Sequence, residues 1–326
     1  MTSSPAATEA ATKPTAGARI SGRLGALAVR GVTWLVCRLP EGPLHRLFAL
    51  FGEAHYRLAR DRRELARGNV LRVCRELERR GMAGPGVAAA VHDARALERL
   101  LRDVFRHHAR YYLEVMRVST YSAAYVAGHV SIADPATVDA ALDIRVQGAV
   151  FLGLHFGAME LPVRLAALRF GQSVLAPMES LPDPAIQAWF REQRSGAGIE
   201  PIDPRGAGRR LIERARGGGA VAIVGDRPIG GPGRSTLLFG APASLPVGPI
   251  LVALEAGVPV WAVAVTRTGW GRYALRIEPV ATPAAGPTKE RAAAFLAAEA
   301  AAFERLIADA PEQWWTLLFP IWEDEA

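Results

Sequence analysis

The segment 148-GAVFLGLHFGAMELPVRLAALRF-170 contains the pattern that decides the fold. Its first part, 148–154, is a short apolar run that predicts a buried strand, and 158–170 has the apolar spacing of an amphipathic helix. His155 and Gly157 occupy the turn between them. A strand that leads directly into a helix is typical of α/β proteins.

The same alternation continues toward the C-terminus. Further apolar runs predict strands at 173–177, 220–226, 258–265 and 272–280. Helical spacing predicts helices at 183–195, 206–216, 247–256 and 288–310. This order predicts an α/β fold with a central, largely parallel sheet flanked by helices. In such a sheet, ligands bind at the carboxyl ends of the strands.

The N-terminal part of the chain has a different composition. Residues 1–18 are rich in Ala, Thr, Ser and Pro and predict a disordered tail, whereas 19–130 is predicted to be helical. Its segments 20–38 and 43–59 are apolar with arginine edges, and they are too interrupted to span a bilayer. They predict helices that either lie in a membrane interface or pack on the protein's own core. We predict one integrated unit in which these helices join an α/β core at 131–326.

The charge of the chain favours an anionic partner. The 326 residues carry a formal net charge of +7, and 39 are lysine or arginine. Nearly all of these are arginine, which suits bidentate contacts with phosphate, although the codon bias of a GC-rich genome explains the preference equally well. Charge is the only support for nucleic acid, so we expect no nucleic-acid partner. The two cysteines have neither metal-ligand nor redox spacing, and we predict no metal site.

His155 and Glu160 form the candidate catalytic pair. A neutral imidazole can take a proton from a hydroxyl that attacks a carbonyl, and a carboxylate can fix the orientation of the ring. Gly157 would permit a tight bend, so that Glu160, five residues after the histidine, can fold back to the ring. The alternative is a hydrogen-bonded histidine that ends a strand.

The motifs around this pair, in their order, resemble those of bacterial lipid acyltransferases related to lipid A lauroyl/myristoyl acyltransferase and to phosphatidylinositol mannoside acyltransferase. The resemblance extends from about Arg60 to Trp322. It is carried by H-x4-E at 155–160, A-P-M-E-S at 176–180, D-R-P at 226–228 and P-E-Q-W-W at 311–315.

The resemblance implies a glycerolipid acyltransferase-like fold and transfer of a fatty acyl chain from an acyl thioester to a glycolipid hydroxyl. It implies His155 as the general base and Glu160 as its acidic partner. The donor would be acyl-CoA or acyl carrier protein, with no other cofactor, and the enzyme would bind the cytoplasmic face of the inner (plasma) membrane as a peripheral or monotopic protein. The other matched positions are implied to bind substrate or to support the oxyanion and its network: Glu179, Arg194, Asp226 and Arg227.

For three of these four residues the sequence leaves more than one role open. Arg194 could clamp a phosphate, polarise the thioester carbonyl or form a surface salt bridge. Asp226 could orient His155 or a sugar hydroxyl, or it could form a turn before Arg-Pro. Glu179 could belong to a buried network or to the edge of the site. We also expect backbone amides at the helix start after His155 to stabilise the oxyanion, and a groove to hold the acyl chain.

The acceptor is expected to be a phosphatidylinositol-mannoside-like glycolipid, because the A-P-M-E-S and D-R-P segments are closer to the mannoside enzyme; a lipid A precursor is the alternative. The family often has Asn-Trp where this chain has Ala158 and Met159, which leaves the substrate contacts at this point open. A hypothesis from another class is a non-catalytic protein that binds acyl-CoA or a membrane surface.

Overall fold

The computed structural model describes residues 16–142, 148–171, 173–228 and 233–325. Its strands are β1 (Val130–Ile132), β2 (Ala149–Gly153), β3 (Val174–Pro177), β4 (Ile199–Ile202), β5 (Ala220–Val224), β6 (Gly233–Leu238), β7 (Ala241–Pro246), β8 (Val260–Gly269) and β9 (Arg272–Val280). Its α-helices are α1 (Ala16–Val36), α2 (Glu41–Leu58), α3 (Arg60–Arg79), α4 (Pro85–His92), α5 (Ala94–Arg117), α6 (Ala123–His129), α7 (Pro135–Leu142), α8 (Leu161–Phe170), α9 (Pro184–Ala197), α10 (Ala207–Arg216), α11 (Gly248–Ala256) and α12 (Thr288–Ala308).

Seven strands form the central sheet in the order β1-β9-β8-β2-β5-β3-β4. All its pairings are parallel except that of β8 with β9, which form an antiparallel hairpin. Strands β6 and β7 pair separately as a two-stranded antiparallel ribbon. The prediction of an α/β fold with a largely parallel sheet flanked by helices is therefore confirmed.

Strand β2 lies in the middle of the sheet, between β8 and β5. A central strand covered by helices on both faces is apolar along its whole length, and this is why the run before His155 shows no alternation of polar residues. Helix α8 then returns from the carboxyl edge of the sheet, where the chain has just passed through His155.

The sequence prediction omitted four strands, β1, β4, β6 and β7. Two of them, β1 and β4, are the edges of the central sheet and have three and four residues. Each is too short for a pattern to emerge, and β4 contains Pro201. Strand β6 begins with Gly-Arg-Ser-Thr, a sequence that is typical of a turn.

The N-terminal helices pack against the core through one face each. Helix α2 buries Leu44 and Phe48 beside Leu113 of α5. Helix α1 contacts α9, where the indole N–H of Trp189 donates to Thr33 Oγ1 at 3.1 Å. Residues 16–18, which the sequence assigned to a disordered tail, begin α1, and the rest of that tail lies outside the described residues.

The opposite faces of α1 and α2 carry exposed apolar side chains. They include Leu27, Val32, Trp34, Leu35, Leu47, Leu50 and Phe51. Among the described residues no helix is both long and apolar enough to cross a membrane.

Candidate active site

Strand register brings His155 and Asp226 together. Gly153 of β2 is paired with Val224 of β5, and His155 and Asp226 each stand two residues beyond that pair, at the carboxyl edge of the sheet. The ring nitrogen Nδ1 of His155 lies 2.8 Å from Asp226 Oδ1, and the backbone N–H of His155 donates to Oδ2 at 3.1 Å. The histidine is therefore held by its backbone and by its ring.

Two further donors fix Asp226 from the C-terminal segment. Trp314 Nε1–H and Thr316 Oγ1–H both donate to its Oδ2, at 2.8 and 2.6 Å. Burial would raise the pKa of this carboxyl group, which is 1% exposed. The charge and hydrogen bond of His155, with the bonds from Thr316 and Trp314, outweigh burial and lower the pKa of Asp226 to about 2.

The ionised state of Asp226 determines the histidine tautomer. A carboxylate can only accept hydrogen bonds, so Nδ1 of His155 must be the donor. In the neutral ring Nε2 then carries the lone pair, which can accept a proton. The indole of Trp315 packs edge-on against the ring, with centroids 4.5 Å apart, and restricts its rotation.

Glu160 is not the partner that the sequence predicted for the His155 ring. Its Oε1 accepts a hydrogen bond from Arg194 Nε at 3.0 Å and from the Tyr111 hydroxyl at 3.5 Å. The reason is the turn before α8: Glu160 is the residue that precedes the helix, and it faces Arg194 of α9. Burial would lower the pKa of Arg194, but the neighbouring Glu160 and Tyr111 raise it, so the guanidinium stays charged.

The turn between β2 and α8 is tightly enclosed. Gly157 has φ +51°, and a Cβ there would lie 1.8 Å from the Val265 carbonyl oxygen, so glycine is required. The amides of Gly157 and Ala158 donate to the carbonyls of Gln313 and Val265. These two amides are occupied, and they do not supply the oxyanion donors that the sequence predicted.

An apolar cavity opens beside this turn, between the sheet and α8. It encloses about 970 Å³ of free space, counting its mouth. Leu154 and Phe156, which flank His155, line it together with Met159. Among the described lining residues only Glu160 and Arg194 carry charge. The cavity therefore has one charged end at the carboxyl edge of the sheet and an otherwise apolar surface.

The family model for bacterial lipid A biosynthesis acyltransferases matches residues 86–322. This range contains the sheet, the histidine, both carboxylates and the cavity. The chain belongs to this family. It is accordingly an acyltransferase.

Two curated relatives give the same indication. Phosphatidylinositol mannoside acyltransferases from two Mycobacterium tuberculosis strains, CDC 1551 / Oshkosh and ATCC 25618 / H37Rv, are each 28% identical to this acyltransferase over 227 residues. The match covers 66% of this chain and 67% of each relative.

A buried ion pair, which the sequence patterns did not reveal, supports the turn between β2 and α8 of the acyltransferase. The Nε and Nη2 groups of Arg267 donate to the two carboxylate oxygens of Glu114, each at 2.6 Å, and Nη2 also donates to the Gly157 carbonyl at 2.7 Å. The amide of Gln313 exchanges two hydrogen bonds with the backbone of Arg267. A usable signal was present: Arg267 is two residues after the predicted strand 258–265, and Glu114 interrupts the apolar stripe of α5.

Glu179 and Arg227 lie at the margin of the acyltransferase site. Their charged groups are 4.0 Å apart, and the Glu179 side chain is 54% exposed, so this is a weak ion pair. The Arg227 guanidinium lies over the ring of Phe319 at 4.5 Å. Arg62 covers the same ring at 4.7 Å, so two cations share one aromatic surface.

Proposed function

We propose that this acyltransferase moves a fatty acyl chain from an acyl thioester to a hydroxyl group of a glycolipid, with His155 as the general base. The observation that carries the proposal is the bond between His155 Nδ1 and the ionised carboxylate of Asp226. It leaves Nε2 as the basic nitrogen and stabilises the imidazolium that forms during proton transfer.

The reaction follows from this arrangement. The acceptor oxygen attacks the thioester carbonyl while its proton moves to His155 Nε2. The tetrahedral intermediate then collapses, the C–S bond breaks, and the imidazolium returns the proton to the departing thiolate. Asp226 takes the orienting role that the sequence gave to Glu160, and the cavity lined by Leu154, Phe156 and Met159 holds the acyl chain.

For the acceptor we propose a phosphatidylinositol-mannoside-like glycolipid, with a lipid A precursor as the alternative. The names of the two relatives support the first. Arg62 and Arg227 fit a phosphate in either acceptor, because both cover Phe319, and Phe319 contacts Trp315, which packs on His155. Arg227→Ala should then raise KM for the acceptor more than it lowers kcat.

The test measures acyl transfer from radiolabelled acyl-CoA, and in parallel from acyl carrier protein, to mannosylated phosphatidylinositols and lipid A precursors. Wild type should label one acceptor class, and His155→Ala should lose the activity by roughly 10²–10⁴-fold. His92→Ala is the matched control, because His92 is exposed and, within the described part of the chain, its ring bonds only to Glu78. Transfer that persists in His155→Ala would show that the histidine is structural.

We further propose peripheral attachment of α1 and α2 to an anionic membrane surface. Their exposed apolar side chains are interspersed with Arg30, Arg38 and Arg46. Wild type should sediment with phosphatidylinositol-containing vesicles, and the double variant Trp34→Glu/Phe51→Glu should not. Equal sedimentation of the two proteins would contradict the attachment.

A further inference from the structure

Among the described residues, one side chain, Leu165 of α8, lines two separate spaces. Leu165 lines the cavity beside His155, and it also lines a second, open groove of about 840 Å³ on the outer side of α8. The groove lies between α6, α7 and α8, and its surface includes Val126, Val138 and Leu168.

The strand register shows how close the two spaces are. Ile132 of β1 lines the groove, Leu275 of β9 lines the cavity, and these two residues are direct partners in the parallel β1–β9 pair. Neighbouring strands are about 4.8 Å apart, so only one strand spacing separates the two linings at this level of the sheet. Leu165 belongs to both linings.

Helical geometry gives Leu165 its position on the boundary. Pro162 and Ala166 face the cavity, whereas Leu168 and Arg169 face the groove. Leu165 is three residues after Pro162 and three before Leu168, so it lies next to both sets on the helix surface. The carboxyl edge with His155 is at the start of α8, and Leu165 is one helical turn deeper.

We propose that Leu165 is the partition that limits the length of the acyl chain this enzyme accepts. The proposal rests on the proposed function in one respect, namely that the cavity holds the acyl chain. A chain that enters at the charged end near Glu160 and Arg194 runs along α8 until Leu165 blocks the way into the groove. Removing the side chain joins the two spaces, and the end of a longer chain then reaches apolar groove residues instead of a closed surface.

The experiment compares chain-length profiles of the full-length protein. Saturated fatty acids from lauric to arachidic acid displace bound cis-parinaric acid, and the corresponding acyl-CoA series is used in the transfer assay. Wild type should show an upper limit of chain length. The relevant quantity is the affinity for the first acid longer than that limit, divided by the affinity for the acid at the limit. In Leu165→Ala this ratio should be roughly tenfold higher than in wild type, because one methylene or more in an apolar pocket has an effect of that size.

Leu168→Ala is the matched control, because Leu168 lines only the groove, and its profile should equal that of wild type. Leu165→Val should shift the limit in the same direction by less, and it covers the case in which Leu165→Ala does not fold. A Leu165→Ala profile identical to wild type, an equal shift in Leu168→Ala, or no upper limit in wild type would each overturn the proposal. If the fatty acids displace cis-parinaric acid with the expected dependence on chain length but no acyl transfer occurs, the proposed function is contradicted and the role of Leu165 as a partition is supported.

Discussion

Asp226 and Glu160 are two buried carboxylates at the same edge of the sheet, and they differ in what holds them. Asp226 binds His155 across 71 residues of sequence, together with donors from Trp314 and Thr316. Glu160 is five residues from the histidine, yet it is bound by Arg194 and Tyr111. Strands β2 and β5 are neighbours in the parallel sheet, about 4.8 Å apart, so strand register and not separation along the sequence selects the carboxylate that binds His155.

The largest expected effect is on acyl-transfer activity, which should depend on Asp226 much more than on Glu160. Asp226→Asn should lower kcat by roughly 10²–10⁴-fold, because an amide no longer fixes the tautomer or stabilises the imidazolium. The measurement is steady-state transfer, with circular dichroism to confirm the fold. A Glu160→Gln loss as large as that of Asp226→Asn, with the fold intact, would reverse the assignment of roles.

Glu160→Gln should act mainly on stability. It leaves the partly buried guanidinium of Arg194 without its counter-charge, and the free energy of unfolding should fall by about 3 kcal/mol. Urea unfolding measures this loss. The double variant Glu160→Leu/Arg194→Leu should lose less free energy of unfolding than the sum of the losses in Glu160→Leu and Arg194→Leu. Additive losses would mean that the two residues do not act as a pair.

Acid should weaken the fold through Asp226. Its pKa is about 2 in the folded protein, below the ordinary value of 3.8, so it stabilises the fold above about pH 4. As the pH falls from about 4 toward 2, this contribution of about 2 kcal/mol is lost. Unfolding as a function of pH should therefore show a steeper acid decline in wild type than in Asp226→Asn. Parallel curves would contradict the ionised state of Asp226.

Glu299 is a third buried carboxyl group that can be compared with Asp226 and Glu160, and its substitution should have the smallest effect. Glu299 is fully buried against Gly225, and neither of its oxygens has a hydrogen-bond partner within the described chain. Burial and the charge of Asp226 raise its pKa well above the ordinary value.

A carboxyl group whose folded pKa is raised destabilises the fold as the pH climbs above its unfolded value of 4.5. Glu299→Gln should therefore raise the melting temperature near pH 8 by roughly 2–4 °C for each kcal/mol gained, and have little effect near pH 4. If Glu299→Gln leaves the melting temperature unchanged at both pH 4 and pH 8, the raised pKa of Glu299 is contradicted.

The fold class and the candidate residue His155 could be predicted from the sequence for physical reasons. Buried parallel strands are continuous apolar runs, and the carboxyl edge of such a sheet is the expected place for a site, so His155 was identified before any contact was known. The pairing of His155 with Asp226 required the order of the strands, which local patterns do not contain. Sequence reasoning had kept that pairing as one of several roles for Asp226. The Arg267–Glu114 pair was missed because its members come from α5 and β8, which are adjacent only in the folded protein.

The segment from Gln313 to Thr316 is hydrogen-bonded to His155, to its carboxylate and to the turn that follows it. Gln313 bonds to Arg267 and the Gly157 amide, Trp314 and Thr316 bond to Asp226, and Trp315 bonds to the His155 backbone. Translation produces this segment after all the residues that it holds. During synthesis, the strand with the histidine and the strand with its carboxylate leave the ribosome well before the donors that fix them. The nascent protein therefore completes the hydrogen bonds that fix Asp226 and the His155 backbone only after residues 313–316 have left the ribosome.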